Sequence, residues 1–217
     1  MITLPTKITT VERYFIVYKP YKMISQFISP YVQRKLGELD FNFPEGTNAV
    51  GRLDDDSEGL LILTTDKSLT KRLLHPNRKH KRNYIVQVEK KVTEEALYKL
   101  RNGIDILVKR KGIYTTQPCE VNLIDKPSNL PPRNHSFREE LPQSWLEFVL
   151  TEGKNRQIRK MCAAVKHDCK RLIRTKIENL ELGNMLPGEV NEIGQKELFE
   201  LLLLNNEADF LLTNGLN

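Results

Sequence analysis

Gly51-Arg52-Leu53-Asp54-Asp55-Asp56-Ser57-Glu58-Gly59 runs directly into Leu60-Leu61-Ile62-Leu63-Thr64-Thr65-Asp66, so a glycine-ended acidic turn feeds an apolar strand. A strand-to-turn junction holds a carboxylate on rigid scaffold while leaving it open to a cleft. A run of acids is by default a solvated face, so the role of Asp54 depends on what the rest of the chain supplies. A calcium loop would take Asp54, Asp56 and Glu58 as its first, third and fifth positions with Gly59 at the sixth. Its twelfth position is Thr65, where a bidentate Glu is needed. A paired-aspartate phosphotransfer site needs a strand ahead of the acids, and here the clear strand follows them. A lone carboxylate nucleophile, with the other acids as solvated neighbours, meets neither objection. Such a group must be ionised, oriented and kept from water. Its reference pKa of about 3.9 ensures ionisation, and an arginine beside it would fix its direction.

An arginine is available in Gly153-Lys154-Asn155-Arg156-Gln157-Ile158-Arg159-Lys160, which opens a helix with Arg156 and Arg159 three apart on one face. This stretch lies in one of two basic windows. Residues 67–82 hold seven Lys/Arg and no acid, and residues 153–176 hold nine against Asp168 alone. The net charge of the 217-residue chain is only +6, so the remainder is acidic. Concentrated positive charge is the footprint of a polyanion binder. Neither window reads as an amphipathic helix with large apolar anchors, which favours nucleic acid over an anionic membrane.

Hydrophobic content of 39% and charge of 29% describe an ordinary globular chain, long enough for one sizeable core or two small subdomains sharing a sheet. No apolar stretch approaches the ~20 residues of a membrane span, and Met1 to Pro5 carry no secretory pattern. Cys119, Cys162 and Cys169 are odd in number and form no C-x-x-C pair, which argues against a disulfide framework or zinc site and fits the cytoplasm. His75, His80, His135 and His167 are scattered. The sequence has no phosphate-cradling glycine loop and no metal-ligand spacing.

Along the chain, Arg13 to Tyr18, Leu60 to Thr64, Tyr84 to Val88, Cys119 to Ile124 and Trp145 to Leu150 read as strands, with Leu172-Ile173 beginning another. In the Cys119 to Ile124 strand, Cys119, Val121 and Leu123 form the inward set. Lys67 to Leu74 has helical spacing and stops before Pro76. Thr93 is an N-cap for a short helix ending at Gly103. Asn155 to Val165 reads as a helix with Ile158, Met161, Cys162 and Val165 inward, and Gln195 to Leu204 as a terminal helix before a polar tail. Asp125 to Gln143, with four prolines, is a long loop. The pattern predicts an α+β domain with a mixed, mostly antiparallel central sheet and flanking helices.

Lys19-Pro20 after a strand, Gly51 to Asp54 with its acidic turn, Arg82-Asn83-Tyr84, and Gly153 to Lys160 occur in that order. Together they resemble the RsuA-type pseudouridine synthases, over nearly the whole chain from about Tyr14 to Ile193. The resemblance implies the pseudouridine synthase fold, with a catalytic cleft between two subdomains. It implies cofactor-free isomerisation of a uridine, Asp54 being the nucleophile at ribose C1′ or uracil C6. Tyr84 would pack against the target base, Arg159 would pair with Asp54, and Ile158 would wall the base pocket. Arg52 would enter the RNA stack beside the flipped nucleotide, at a flipping cost of a few kcal/mol. Arg82 stands where the family has Lys. With Lys79, Lys81, Lys154 and Arg156 it makes up the expected RNA-contacting set.

Many family members carry an N-terminal S4-like domain. Here the expectation is a tail over residues 1–12, a catalytic domain over 13–193, and a C-terminal helix and tail over 194–217. The expected partner is large-subunit, 23S-type ribosomal RNA, bound by a monomer. The alternative from another class is a non-catalytic RNA-binding or ribosome-assembly protein of the same fold.

Overall fold

The computed structural model describes residues 11–75, 78–133 and 141–204. Most of the expected N-terminal tail, His135, and residues 205–217 lie outside the described residues.

β1 (Tyr14–Lys19) is an aromatic and β-branched run buried almost throughout. It pairs antiparallel with β3 (Glu58–Thr64) on one side and β11 (Val190–Ile193) on the other. β9 (Cys169–Ile177) runs parallel to β3 and antiparallel to β4 (Arg82–Glu89). β8 (Gln143–Leu150) and the edge strand β7 (Glu120–Ile124) complete the order β11-β1-β3-β9-β4-β8-β7. Two short strands, β2 (Asn48–Ala49) on β3 and β10 (Leu180–Glu181) on β9, bring the sheet to nine. The fold is α+β with a mixed, mostly antiparallel sheet, as the alternation of elements predicts.

All seven residues of β3 are buried, because its two faces serve different cores. Leu60 and Ile62 pack with Leu69 and Leu73 of α1 (Lys67–Leu74) and Leu198 and Phe199 of α4 (Gln195–Leu201). Leu61 and Leu63 face Phe15, Val17, Met23 and Leu36. Each such leucine is worth about 1.5–3 kcal/mol of burial. A third cluster joins Val86, Val88, Leu146 and Phe148 to α2 (Glu94–Asn102) and α3 (Gln157–Ala164). The two halves of the sheet meet along the β3/β9 pair.

The helix ends follow local chemistry. Asp66 caps α1 by accepting from Ser68 N (2.8 Å), and Thr93 caps α2 by accepting from Ala96 N (3.2 Å). Several expectations shift. α3 begins at Gln157 rather than Asn155, because Arg156 adopts a left-handed conformation (φ 54°). Val165 is only partly buried, at the helix end. Leu123 is 53% exposed on the edge strand β7, whereas Val121 is buried and its carbonyl accepts from Arg101 Nε (2.6 Å). A hairpin of β5 (Asp105–Val108) and β6 (Gly112–Thr115) was not anticipated. Among the described residues no helix is long and apolar enough to cross a membrane, and all three cysteines are free.

Candidate active site

The acidic turn sits where β3 begins. Ser57 N–H donates to the Asp54 carbonyl (3.1 Å), closing a β-turn over 54–57. The Ser25 hydroxyl grips both backbone groups of Leu53 (3.0 and 2.9 Å), and Lys22 N–H donates to the Asp55 carbonyl (2.7 Å). The loop after β1 therefore braces the turn.

Beneath it, Lys19 is fully buried, its Nζ donating to the carbonyls of Pro20 (2.8 Å) and Met23 (2.5 Å). Burial pulls its pKa down to about 8, against the opposing pull of Asp55, Glu58 and the other turn acids. Between about 8 and the ordinary 10.5 the unfolded chain binds more protons at this group than the folded chain. Its contribution to unfolding free energy therefore rises with pH across that window. Urea titrations at the two ends of the window should show a smaller rise for Lys19→Met than for the unaltered protein. Equal rises would refute the assignment.

Glu58, at the head of β3, is buried and held by Arg171 through Nε (3.0 Å) and Nη2 (2.9 Å), with Arg133 Nη1 at 3.4 Å. Arg171 Nη2 also donates to the Pro131 carbonyl (3.0 Å), which straps the proline-rich loop onto the sheet behind the turn.

The opposite wall is the tight segment before α3. Gln157 closes it, accepting at Oε1 from Lys154 N (2.9 Å) and donating from Nε2 to Glu152 (2.8 Å). The left-handed backbone of Arg156 is costly for a β-carbon-bearing residue, and such strain clusters at functional sites. It aims the guanidinium across the cleft, where it binds Asp56 through both terminal nitrogens (3.0 and 2.7 Å) and comes within 3.6 Å of Asp54 Oδ2. Burial opposes the Asp56 charge, but Arg156 and Arg159 outweigh it and hold the carboxyl below its usual value.

Arg159 does not pair with Asp54 here. One helical turn deeper, it donates to the Asp56 carbonyl (2.6 Å) and the Cys169 carbonyl (3.1 Å), with Nε 3.3 Å from the Asp56 carboxylate. It secures the turn from below, and Arg156 is the cation that meets Asp54. Asp54 itself keeps a third of its side chain exposed.

Tyr84 stands opposite Arg174 in the β4/β9 ladder, next to a register shift between Asn83 and Tyr84. Such a bulge re-aims a side chain. Arg174 donates from Nε to the Leu60 carbonyl (2.8 Å). Burial pulls Arg174 below the usual arginine value, and Tyr84 opposes that pull. Sequence reasoning gave no role at the site to Arg171 or Arg174, used Lys19 only as part of the Lys19-Pro20 motif, and weighed Glu58 only as a calcium-loop position. The available signal was a charge embedded in, or bordering, an apolar run.

A cleft of ≈ 970 Å³ is lined by Asp54, Tyr84, Ile158 and Arg174 and by Arg52, Arg82, Lys154 and Arg156. Lys79 and Lys81 are exposed and outside that lining, and Lys81 Nζ lies 3.8 Å from Glu120. Much of the rest of the basic windows is spent internally. Arg72 donates to the Leu204 carbonyl and covers the Phe199 ring, Lys170 pairs with Glu89, and Lys176 pairs with Glu181. His80 and His167 are structural, meeting Glu178 (3.0 Å) and the Glu89 carbonyl (2.9 Å).

Residues 13–164 match the family model for RNA pseudouridylate synthase. The chain is 40% identical over 171 residues to the ribosomal large subunit pseudouridine synthase E of Xanthomonas axonopodis pv. citri (strain 306), covering 78% of this chain and 87% of that protein. It is 37% identical over 186 residues to the protein of the same name from Vibrio parahaemolyticus serotype O3:K6 (strain RIMD 2210633), covering 84% and 74%. Its fold is similar to that of a crystallised pseudouridylate synthase, with a TM-score of 0.71 at 24% identity, covering 88% of this chain and 74% of that one. A family model spanning most of the chain, with relatives of this identity, shows that the protein belongs to the RNA pseudouridylate synthase family.

Proposed function

We propose that this protein isomerises a uridine of large-subunit, 23S-type ribosomal RNA to pseudouridine, with Asp54 as the nucleophile. The observation that carries the reading is the partly exposed carboxylate of Asp54, which lines the same cleft as Tyr84 and Ile158 and lies 3.6 Å from Arg156. The neighbouring acid Asp56 is engaged by Arg156 and Arg159, which leaves Asp54 the freer of the two. A flipped uracil would lie between Tyr84 and Ile158 while Asp54 forms a covalent adduct with the nucleoside, at ribose C1′ or uracil C6. The N1–C1′ bond breaks, the base turns, the C5–C1′ bond forms, the bond to Asp54 is released to regenerate the carboxylate, and C5 loses its proton while N1 gains one. Arg52, exposed at the rim, is suited to fill the vacated stack. The ribosomal assignment rests on the names of the relatives.

The working unit is taken to be a cytoplasmic monomer, and three cysteines without a disulfide fit a reducing compartment. Carbodiimide mapping of pseudouridine in ribosomal RNA, with and without the gene, tests the reading. One large-subunit signal should vanish without the gene and return on complementation. Identical maps would overturn it.

A further inference from the structure

The β5/β6 hairpin stands apart from the nine-stranded sheet as its own two-stranded ribbon. Opposite residues of an antiparallel pair share a face, so the register gives the ribbon two distinct sides. Ile106 and Val108 are buried in the cluster that includes Ile158, Met161 and Cys162 of α3. Leu107 and Ile113 are opposite partners on the other side, and they are 70% and 76% exposed. The connection between the strands is Lys109-Arg110-Lys111, three consecutive exposed cations. No ion pair to any of them is found among the described residues.

The inner side of the ribbon is tied to the cleft wall. The Tyr114 hydroxyl donates to Glu152 Oε2 (2.5 Å), Lys154 Nζ lies over the Tyr114 ring (4.6 Å), and Gln117 N–H donates to Glu152 Oε1 (2.9 Å). Glu152, Gly153 and Lys154 line the cleft that holds Asp54. The hairpin is therefore a rigid extension of that wall, and its tip carries cations unlike those of the basic windows, many of which are consumed inside the fold.

We propose that the β5/β6 hairpin is a second RNA-binding element that grips the double-stranded flank of the substrate, away from the reacting uridine. This rests on RNA being the substrate, as argued under the proposed function. A-form RNA offers a wide, shallow minor groove lined by riboses, bordered by phosphates. Lys109, Arg110 and Lys111 meet the phosphates, and the Leu107/Ile113 pair packs on the ribose edges. An exposed aliphatic pair beside three consecutive cations suits that surface, whereas protein interfaces are depleted in lysine relative to the rest of the surface.

The test uses the full-length protein and a blunt RNA duplex lacking unpaired uridine, so that base flipping does not enter the binding. Replacing Lys109, Arg110 and Lys111 together by Gln should weaken duplex binding about tenfold at moderate salt and flatten the log–log salt dependence by about 2–3. Pseudouridine formation on a ribosomal RNA transcript should keep its kcat while KM rises. Replacing Leu107 and Ile113 together by Ser should weaken duplex binding with the salt slope unchanged. Unchanged affinity and slope in the triple variant would overturn the proposal, and undiminished affinity in the Ser pair would overturn the ribose contact. Hairpin-dependent duplex binding without any pseudouridine formation would refute the proposed function and leave standing only the hairpin's contact with RNA.

Discussion

Asp54→Asn eliminates pseudouridine formation, with an expected rate loss of about four orders of magnitude or more, as when a covalent nucleophile is removed. The substitution is nearly isosteric, and the β-turn at 54–57 is closed by the backbone of Asp54 rather than its side chain. Arg156 keeps its two bonds to Asp56, so no cation is left stranded. The variant should thus fold normally and bind RNA with little change, separating chemistry from binding. Single-turnover assays with ribosomal RNA transcripts, alongside a binding titration, would measure both. Turnover near that of the unaltered enzyme would remove Asp54 from the mechanism.

Gly59→Ala is expected to be the most damaging small substitution for stability. Gly59 has φ +102°, and a Cβ there would lie 2.3 Å from the Arg174 carbonyl oxygen and 2.9 Å from its nitrogen. Backbone opposes backbone at this point, so no side chain can rotate away. Backbone strain and overpacking each cost about 1–3 kcal/mol, so about 4 kcal/mol together is a fair expectation. The position is where β3 and β9 run parallel, with Glu58 opposite Ile173 and Gly59 opposite Arg174. Prising them apart would also move the acidic turn away from Tyr84. Gly112→Ala is the matched control, because that glycine also has positive φ (+76°) but nothing within 4 Å of its Cβ. Urea midpoints compare the two. A Gly59 variant no less stable than the Gly112 variant would show that the close approach carries no energy.

Local chemistry explains what could be read from the chain. β1, β3, β4 and β8 are apolar or alternating runs long enough to declare a period, and Asp66 and Thr93 are caps recognisable from residue type and position. The ordered set of short motifs, from Lys19-Pro20 to Gln157-Ile158-Arg159, was enough to identify the family. The strands of two to four residues, β2, β5, β6, β10 and β11, are too short for a period to stand out. Even so, the run Ile104 to Val108 before Lys109-Arg110-Lys111-Gly112 carries a readable hairpin signal.

Residue type established that the chain holds a carboxylate at a turn, arginines to serve it, and an excess of cations for a polyanion. It did not establish how those cations are shared out. Arg171 turns inward to hold the buried Glu58, and strand register places Arg174 opposite Tyr84. Arg156, left-handed at the start of α3, lines the cleft and reaches Asp54, whereas Arg159 is held by the Asp56 and Cys169 carbonyls. Sequence spacing specifies which side chains lie on one face of an element, but which partner each meets depends on distances between elements remote in the chain. Those distances are set only when the β3/β9 pair, the acidic turn and α3 are packed together.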